Sequence, residues 1–304
     1  MSGEHSGDPD GGLRAESHRA IAQGSKSFAA ASRLLAPAVR DDVVKLYHWC
    51  RHCDDVIDGQ EGGGDMRALS PAEQRERLEA IRALTACALD TDEPVEPPFQ
   101  ALREVARAHD FPRRWPFDLL EGFRMDVEGH RFETFDDTLL YGYHVAGVVG
   151  VMMARVMGVR DEAVLDRACD LGLAFQLTNI ARDVEEDAGA GRSYVPREWR
   201  EPDTLAAAKR LVREAEPYYA SALHGLPALG FRSAWAIAAA RRIYRAIGTR
   251  ILELDGWQGR TFTTRREKAA MVATALGDAL RSRRPLPASP RRGLWTRAEA
   301  LGRP

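Results

Sequence analysis

The sequence predicts an all-α protein, and three observations lead to that prediction. Apolar residues recur at helical spacing almost throughout the 304 residues. Alternating apolar and polar runs between paired turn signals, which would indicate strands, are hard to find. Hydrophobic residues make up 44% and charged residues 29% of the chain, enough to fill a sizeable core and coat amphipathic helices. We therefore expect a single helical domain of about eight to ten helices.

Turn-forming segments separate the predicted helices. A helix start is predicted at Ser70, where the sequence Ser70-Pro71-Ala72-Glu73 has the pattern of a capping box with proline in the first turn. Asp136 and Asp137 precede another run of helical periodicity. Helix breaks are predicted at residues 59–65, 92–98, 111–114, 189–196, 225–230 and 255–264.

The two ends of the chain differ in composition from the body. We divide the chain into a flexible N-terminal tail (residues 1–12), a helical domain (13–282) and a loosely ordered C-terminal tail (283–304). The first twelve residues lack the basic and apolar regions of a secretory signal, so a cytoplasmic protein is expected. In the C-terminal tail, Leu294 and Trp295 leave two alternatives, contact with a membrane surface and a merely solvated end.

Charge and cysteine content exclude several classes of protein. A formal net charge of -2 provides no bulk positive field for nucleic acid. The most membrane-like stretch, residues 145–159, contains Arg155 and is shorter than the ~20 apolar residues of a spanning helix, so a buried helix is predicted. Four cysteines are too few for a disulfide scaffold. The Cys50-x-x-Cys53 pair has no second ligand pair, which argues against zinc.

The segment from residue 43 to 58 carries acids on what its spacing predicts to be the buried face of a helix. Positions 43, 46, 47 and 50 form one face, and helical steps continue it to Asp54 and Asp58. Four residues advance a helix by about 6 Å, so these carboxylates stand one turn apart. Buried like charges require a cation. Arg51 is one candidate, but the acids outnumber it, which favours magnesium.

A second oxygen-rich row is predicted near residue 180. Its members follow steps of three, four and four residues: Gln176, Asn179, Asp183 and Asp187. These steps place them on one helix face beside apolar Leu173, Leu177 and Ile180. Arg182 is close in sequence and could pair with an anion. For either row alone an ordinary solvated helix end is the alternative, but the two rows together favour binding of a metal and a diphosphate.

Five segments carry a resemblance to a known family. They are GSKSF (24–28), LYHWCRHCDDVID (46–58), GFRMDVEG (122–129), YGYHVAGVVGVMMARVMGV (141–159) and DLGLAFQLTNIARDVEEDAGAGRSYVP (170–196). They belong to a match that runs over most of the chain, and the chain resembles the squalene and phytoene synthase family of head-to-head prenyltransferases, its bacterial members in particular. The resemblance implies an isoprenoid synthase fold, with helices around a central cavity and two aspartate-rich motifs facing each other across magnesium ions. Manganese is the alternative metal.

The resemblance also assigns roles to individual residues. The implied metal ligands are Asp54, Asp58, Asn179, Asp183 and Asp187. The positions expected to hold diphosphate oxygens are Ser25, Lys26, Ser27, Arg51, Gln176, Asn179, Tyr244, Arg260 and Lys268. Tyr141 matches a tyrosine near the reacting carbons, where a phenol steadies a carbocation or helps to move a proton; a plain core tyrosine is the alternative. Asp126 lies in a family motif, but the sequence gives no physical argument for its role. Gly147 and Gly150 indicate either close helix packing or room for a lipid chain.

The resemblance finally implies a reaction. Two geranylgeranyl diphosphates would condense head to head, through prephytoene diphosphate, to 15-cis-phytoene, the first committed step of carotenoid biosynthesis, without NADPH. The implied partners are geranylgeranyl diphosphate, a membrane surface contacted peripherally and neighbouring enzymes of the carotenoid pathway. One alternative is a C30 synthase that uses farnesyl diphosphate and makes squalene, dehydrosqualene or presqualene diphosphate. Another is a catalytically silent scaffold protein, although such a protein has no reason to keep both acid rows.

Overall fold

The computed structural model describes residues 9–24, 30–60, 69–199, 203–257, 259–284 and 291–297. The prediction of an all-α fold is confirmed, because this part of the chain contains eleven α-helices and no β-strand. Two short helices, α6 (Phe135–Gly142) and α7 (Val148–Val156), are joined by a π-helical turn, Tyr143–Gly147. Counted as one continuous rod, they bring the number of helices to ten, within the predicted range.

The chain divides into two compact units, Met1–Phe117 and Asp118–Pro304. The division falls inside α5 (Arg114–Val127), so no linker in the sequence signals it. The first unit contains α1 (Pro9–Gly24), α2 (Pro37–Asp58), α3 (Pro71–Asp90) and α4 (Pro97–Ala108). Of these, α2 packs against α1 and α4, and α3 packs against α4.

The second unit is built around α8 (Glu162–Gly189), its longest helix. Three helices follow it, namely α9 (Thr204–Leu223), α10 (Phe231–Glu253) and α11 (Arg265–Arg281). α8 packs against α7, α9 and α10, while α10 also packs against α11. Because the second acid row lies on α8, its neighbours in this unit position the row.

Helix ends follow the chemistry predicted for them. The Ser70 hydroxyl accepts a hydrogen bond from the backbone N–H of Glu73, and the Glu73 carboxylate accepts one from the Ser70 N–H, which confirms the capping box. Thr134 and Asp137 form the same arrangement at the start of α6. α2 ends at Gly59, whose φ of 74° lies in the left-handed region that favours glycine.

Glycines allow the rod that contains α7 to approach α8 closely. A Cβ atom added to Gly150 would lie 2.5 Å from the Ala168 carbonyl oxygen, and one added to Gly172 would lie 2.4 Å from that of Ala146. A Cβ at Gly147 would lie 3.0 Å from the Cys169 sulfur. Of the two alternatives left open for Gly147 and Gly150, the structure therefore supports close helix packing.

One described helix is long and apolar enough to cross a membrane, namely the rod Phe135–Val156. Its apolar window is 67% buried within the protein. Burial of this extent is typical of a core helix, and the predicted buried helix at residues 145–159 overlaps this rod and continues past its end.

The C-terminal tail is not loose over residues 291–297, where the prediction is wrong. Arg291 donates hydrogen bonds to both oxygens of Asp170, at 2.8 and 2.6 Å, and Asp170 is fully buried at 0% exposure. Arg297 donates to Asp166 at 2.7 Å, and Trp295 is only 5% exposed. The arginines dock the segment because they neutralise acids on α8. At the other end, α1 begins at Pro9, inside the predicted tail 1–12.

Candidate active site

The first acid row, on α2, does not face the core as predicted. The buried row of this helix runs through Leu46, Trp49, Cys53 and Ile57. Asp58 is exposed, and the Asp54 side chain is 42% exposed. Steps of four residues each rotate a helix about 40° past a full turn, so Asp58 lies about 120° around α2 from Leu46. The burial argument for a cation is therefore wrong at this row.

Arg51 is the cation that this row holds in the structure. Its guanidinium contacts Asp54 at 2.9 Å and Asp55 at 2.6 Å. It also donates a hydrogen bond to the Gln60 side chain, just beyond the end of α2, at 3.0 Å. An arginine fixed by three acceptors beside a row of carboxylates can hold a diphosphate oxygen without reorganising.

The second acid row, on α8, has the burial that the sequence predicts. Gln176, Asn179 and Asp183 are partly buried, beside the buried Leu177 and Ile180. The Asn179 amide nitrogen donates to the Gln176 amide oxygen at 3.4 Å. The Asn179 amide oxygen is buried and has no hydrogen-bond partner within the described chain. An unsatisfied buried acceptor is unfavourable, so this oxygen suits a ligand that is positively charged.

Asp183 is the most strongly paired acid of the row. Arg182 donates to both of its oxygens, at 2.8 and 2.5 Å. Arg260, which precedes α11, contacts it at 3.0 Å. Two guanidinium groups therefore converge on one carboxylate, and both are placed to exchange it for the oxygens of a bound anion.

Asp187 ends the row one turn further along α8. Burial raises the pKa of its carboxyl to about 6, and the charges of Asp183 and Glu186 act in the same direction. Arg192 opposes this rise in pKa. A cation bound beside Asp187 would stabilise the ionised carboxylate and lower this raised pKa.

The donor atoms of the row on α8 fit a divalent metal, although the described residues contain no group of three or more His, Cys, Asp or Glu that converges on one point. The fit rests on the Asn179 amide oxygen, which has no hydrogen-bond partner within the described chain, and on the Asp183 and Asp187 carboxylates, which lie on the same face of α8. All of these donors are hard oxygen atoms, which magnesium prefers. The row on α8 would thus supply part of the coordination, and a substrate phosphate another part.

Tyr141 lies in a separate aromatic cluster of the second unit. Its side chain is 5% exposed and packs edge-to-face against Phe132, with ring centres 5.4 Å apart. It stacks on Tyr194 at 4.8 Å. Both tyrosine hydroxyls donate to Asp126, each at 2.9 Å. Sequence reasoning left Asp126 without a role; the signal available was an acid between the apolar residues Met125 and Val127, both of them buried.

The remaining predicted site residues are distributed as follows. Tyr244 stacks on Phe175 at 4.1 Å, and burial raises the pKa of its phenol, while Arg182 opposes that rise. Lys268 lies half-buried in the first turn of α11. The structure therefore brings together Arg182, Asp183 and Arg260 directly. Three predicted diphosphate-binding residues lie outside the described residues: Ser25, Lys26 and Ser27.

Comparisons with known proteins agree with this arrangement. Residues 21–268 match the family model described as squalene/phytoene synthase. The chain is 54% identical to a 15-cis-phytoene synthase from a Paracoccus species, over 92% of this chain and 96% of the relative. It is 49% identical to a 15-cis-phytoene synthase from Enterobacter agglomerans, over 90% and 98%. Among solved structures, a dehydrosqualene synthase bound to a ligand matches with a TM-score of 0.75 at 25% identity, over 88% of this chain and 96% of that one.

The helical fold and the similarity to these synthases define an enzyme class, that of the prenyltransferases with an isoprenoid synthase fold. Within that class, the chain belongs to the squalene/phytoene synthase family.

Proposed function

We propose that this chain condenses two molecules of geranylgeranyl diphosphate head to head, through prephytoene diphosphate, to 15-cis-phytoene, and releases both diphosphates. The observation that carries the proposal is the row on α8, in which Asn179 and Asp183 present oxygens beside Arg182 and Arg260. Oxygen ligands next to guanidinium groups suit a diphosphate leaving group held with a divalent metal. The choice of substrate is supported by the two relatives named 15-cis-phytoene synthase.

Magnesium is the metal proposed here, with manganese as the alternative. Its proposed ligands are Asp54, Asp58, Asn179, Asp183 and Asp187. When bound, the metal neutralises the charge that develops on the departing diphosphate. The predicted diphosphate-binding residues would do the same work with N–H and O–H donors, and Arg182 and Arg260, which contact Asp183 in the structure, would also be able to donate to diphosphate oxygens.

Departure of the first diphosphate leaves an allylic cation, which water would quench. The ring of Tyr141 is buried and packs against Phe132 and Tyr194, so an apolar aromatic group is available near the cation. The Tyr141 hydroxyl donates a hydrogen bond to Asp126, so the lone pairs of the hydroxyl oxygen remain available to a cation. The second substrate then attacks, and loss of protons completes the condensation. The proposed product needs no reductant, so no NADPH is expected.

A peripheral contact with a membrane is proposed from the apolar nature of substrate and product. Phe262 is 70% exposed and lies close in sequence to the exposed Arg260 and Arg265. An exposed aromatic ring among arginines suits the surface of an anionic bilayer. Trp295, considered for this role from sequence, is packed 5.5 Å from the ring of Tyr143 and does not lie at the surface.

The test is to incubate the purified protein with magnesium and geranylgeranyl diphosphate, with and without NADPH, and to identify the extracted lipid by chromatography and mass. The proposal expects the C40 hydrocarbon phytoene in equal yield under both conditions. A parallel incubation with farnesyl diphosphate separates the alternatives. Product from farnesyl diphosphate but not from geranylgeranyl diphosphate would establish the C30 synthase. No product from either substrate would favour the scaffold protein.

A further inference from the structure

A carboxylate and two tyrosine hydroxyls meet behind the proposed reaction centre. Asp126 lies near the end of α5, Tyr141 lies on α6, and Tyr194 lies in the loop that follows α8. Tyr141 donates to one oxygen of Asp126 at 2.9 Å, and Tyr194 donates to the other oxygen at 2.9 Å. One carboxylate thus joins two phenols that are 53 positions apart, residues 141 and 194.

Packing holds these three groups in one geometry. The two tyrosine rings are nearly parallel, with an interplanar angle of 20°, and Phe132 meets both edgewise at 5.4 Å. Thr138 donates a hydrogen bond to the Tyr194 carbonyl oxygen at 2.8 Å, which fastens the loop to α6. The backbone N–H of Arg197 donates to the Phe132 carbonyl oxygen at 2.8 Å and fixes the loop at its other end. The packing therefore holds both phenol oxygens within hydrogen-bond distance of Asp126.

The cluster lies beside the second acid row of the same unit. A Cβ added to Gly142, the residue after Tyr141, would lie 3.8 Å from the Cβ of Gln176 on α8. The backbone N–H of Arg192, two residues before Tyr194, donates to the Asp187 carbonyl oxygen at 2.8 Å. The two tyrosines are thus connected to the two ends of the row.

Burial and the neighbouring Asp126 carboxylate raise the pKa of Tyr141 well above its ordinary value. Its phenol is therefore neutral near pH 7, and a neutral phenol alone is a poor base. A phenol that passes its own proton to a carboxylate while it receives another needs no phenolate at any stage. The hydrogen bond from Tyr141 to Asp126 is the geometry that such a transfer requires.

Asp126 can also pass a proton to solvent. Asp126 and Tyr194 line a cavity of about 490 Å³. Its rim includes His130 and Arg131, both of which are exposed, so the cavity connects the carboxylate with solvent. Within the described residues, this is where the Tyr141–Asp126–Tyr194 cluster reaches water.

We propose that Asp126 is the proton acceptor behind Tyr141, an inference that rests on the proposed function. In the cyclopropane-forming step a C–H bond of the condensed cation breaks, and its electron pair closes the ring. The proton passes to the Tyr141 oxygen, while the Tyr141 proton passes to Asp126 and from there to water in the cavity. Asp126 acts through Tyr141 and is a positioning residue; Tyr194 holds its second oxygen.

The test compares Asp126→Asn with a matched control, Asp118→Asn. Asp118 is also on α5 and accepts a hydrogen bond from Tyr143 at 2.6 Å, two residues after Tyr141. Asp126→Asn is expected to lower kcat by about a hundredfold or more, with KM for geranylgeranyl diphosphate within about twofold of wild type. Substrate deuterated at the carbon that loses the proton should show a larger isotope effect in this variant. Asp118→Asn should keep kcat within about threefold of wild type.

A double-mutant comparison separates this role from a structural one. In a Tyr141→Phe background, Asp126→Asn should cause no further loss of kcat, because Asp126 acts through the missing hydroxyl. If Asp126→Asn does not fold, Tyr194→Phe serves in its place: it should lower kcat alone and have no effect beside Tyr141→Phe. Additive losses, or an Asp126→Asn enzyme as active as Asp118→Asn, would overturn the relay while leaving the proposed function intact. A wild-type protein that forms no hydrocarbon would contradict both.

Discussion

Arg260 contacts the carboxylate of Asp183 at 3.0 Å, across 77 positions of the chain. This contact ties the loop before α11 to the middle of the acid row on α8. Arg182, adjacent to Asp183 in sequence, contacts the same carboxylate. These contacts bring together three residues with two predicted roles. Asp183 is a predicted metal ligand, and Arg182 and Arg260 are predicted to bind an anion.

Arg260→Ala should weaken substrate binding. It removes one proposed charged donor for a diphosphate oxygen, which is worth roughly 1.5–3 kcal/mol, so KM for geranylgeranyl diphosphate should rise about tenfold or more. Steady-state kinetics measure this change. The control is Arg266→Ala, an exposed arginine in the first turn of α11, which should leave KM unchanged. Equal KM values in the two variants would show that Arg260 does not hold the diphosphate.

Gly150→Ala should destabilise the second unit. Its new Cβ would lie 2.5 Å from the Ala168 carbonyl oxygen, so the helices must separate, at a cost of roughly 1–3 kcal/mol. Gly277→Ala is the control, because nothing lies within 4 Å of a Cβ at that position of α11. There alanine should stabilise the protein by roughly 0.5–1 kcal/mol through helix propensity. Urea unfolding of both variants measures the difference, and effects of the same sign would contradict the close packing.

The fold was predictable from periodicity, and one of the two acid rows was placed correctly. On α8 the steps of three, four and four residues follow the helical repeat closely, so Gln176 and Asp187 remain on nearly the same face. On α2 repeated four-residue steps drift, and the face assigned to Asp58 was wrong for that reason. Contacts between distant positions, such as Tyr194 with Asp126, depend on tertiary packing and leave no local pattern to read.

Arg291→Ala should destabilise the protein strongly. Asp170 is fully buried, and removal of Arg291 leaves its charge without two hydrogen bonds, which costs roughly 3–5 kcal/mol when a buried pair is broken. Arg292→Ala, a change of the exposed next residue, is the control and should have little effect. Thermal unfolding measures both. A melting temperature of Arg291→Ala equal to that of Arg292→Ala would show that residues 291–297 are not docked by this pair.

Asp187 should make the stability of the metal-free protein depend on pH. Burial raises the pKa of its carboxyl to about 6, so between its ordinary pKa and this value the folded state binds the proton more tightly than the unfolded state. The contribution of Asp187 to the free energy of unfolding therefore falls as the pH rises through that window. Asp187→Asn has no charge to bury, and solvent partly screens the half-buried carboxyl that it replaces, so relative to wild type the variant should gain on the order of 1 kcal/mol between pH 4.5 and pH 7.5.

Denaturant unfolding at the two pH values measures the gain for Asp187→Asn. Glu185→Gln is the control, because Glu185 is exposed on the same helix and should show no such change. A gain of the same size in the control, or none in Asp187→Asn, would contradict the raised pKa of Asp187.

The most direct test of the central claim is to measure diphosphate release and hydrocarbon formation together, with magnesium and geranylgeranyl diphosphate, in wild type, Asp183→Asn and Glu185→Gln. Head-to-head condensation predicts two diphosphates released for each phytoene in wild type and in Glu185→Gln. In Asp183→Asn both products should fall by about a hundredfold or more, because a proposed ligand of the metal is lost. Asp183→Asn turnover equal to that of Glu185→Gln would contradict the account, as would diphosphate release without a C40 hydrocarbon in wild type.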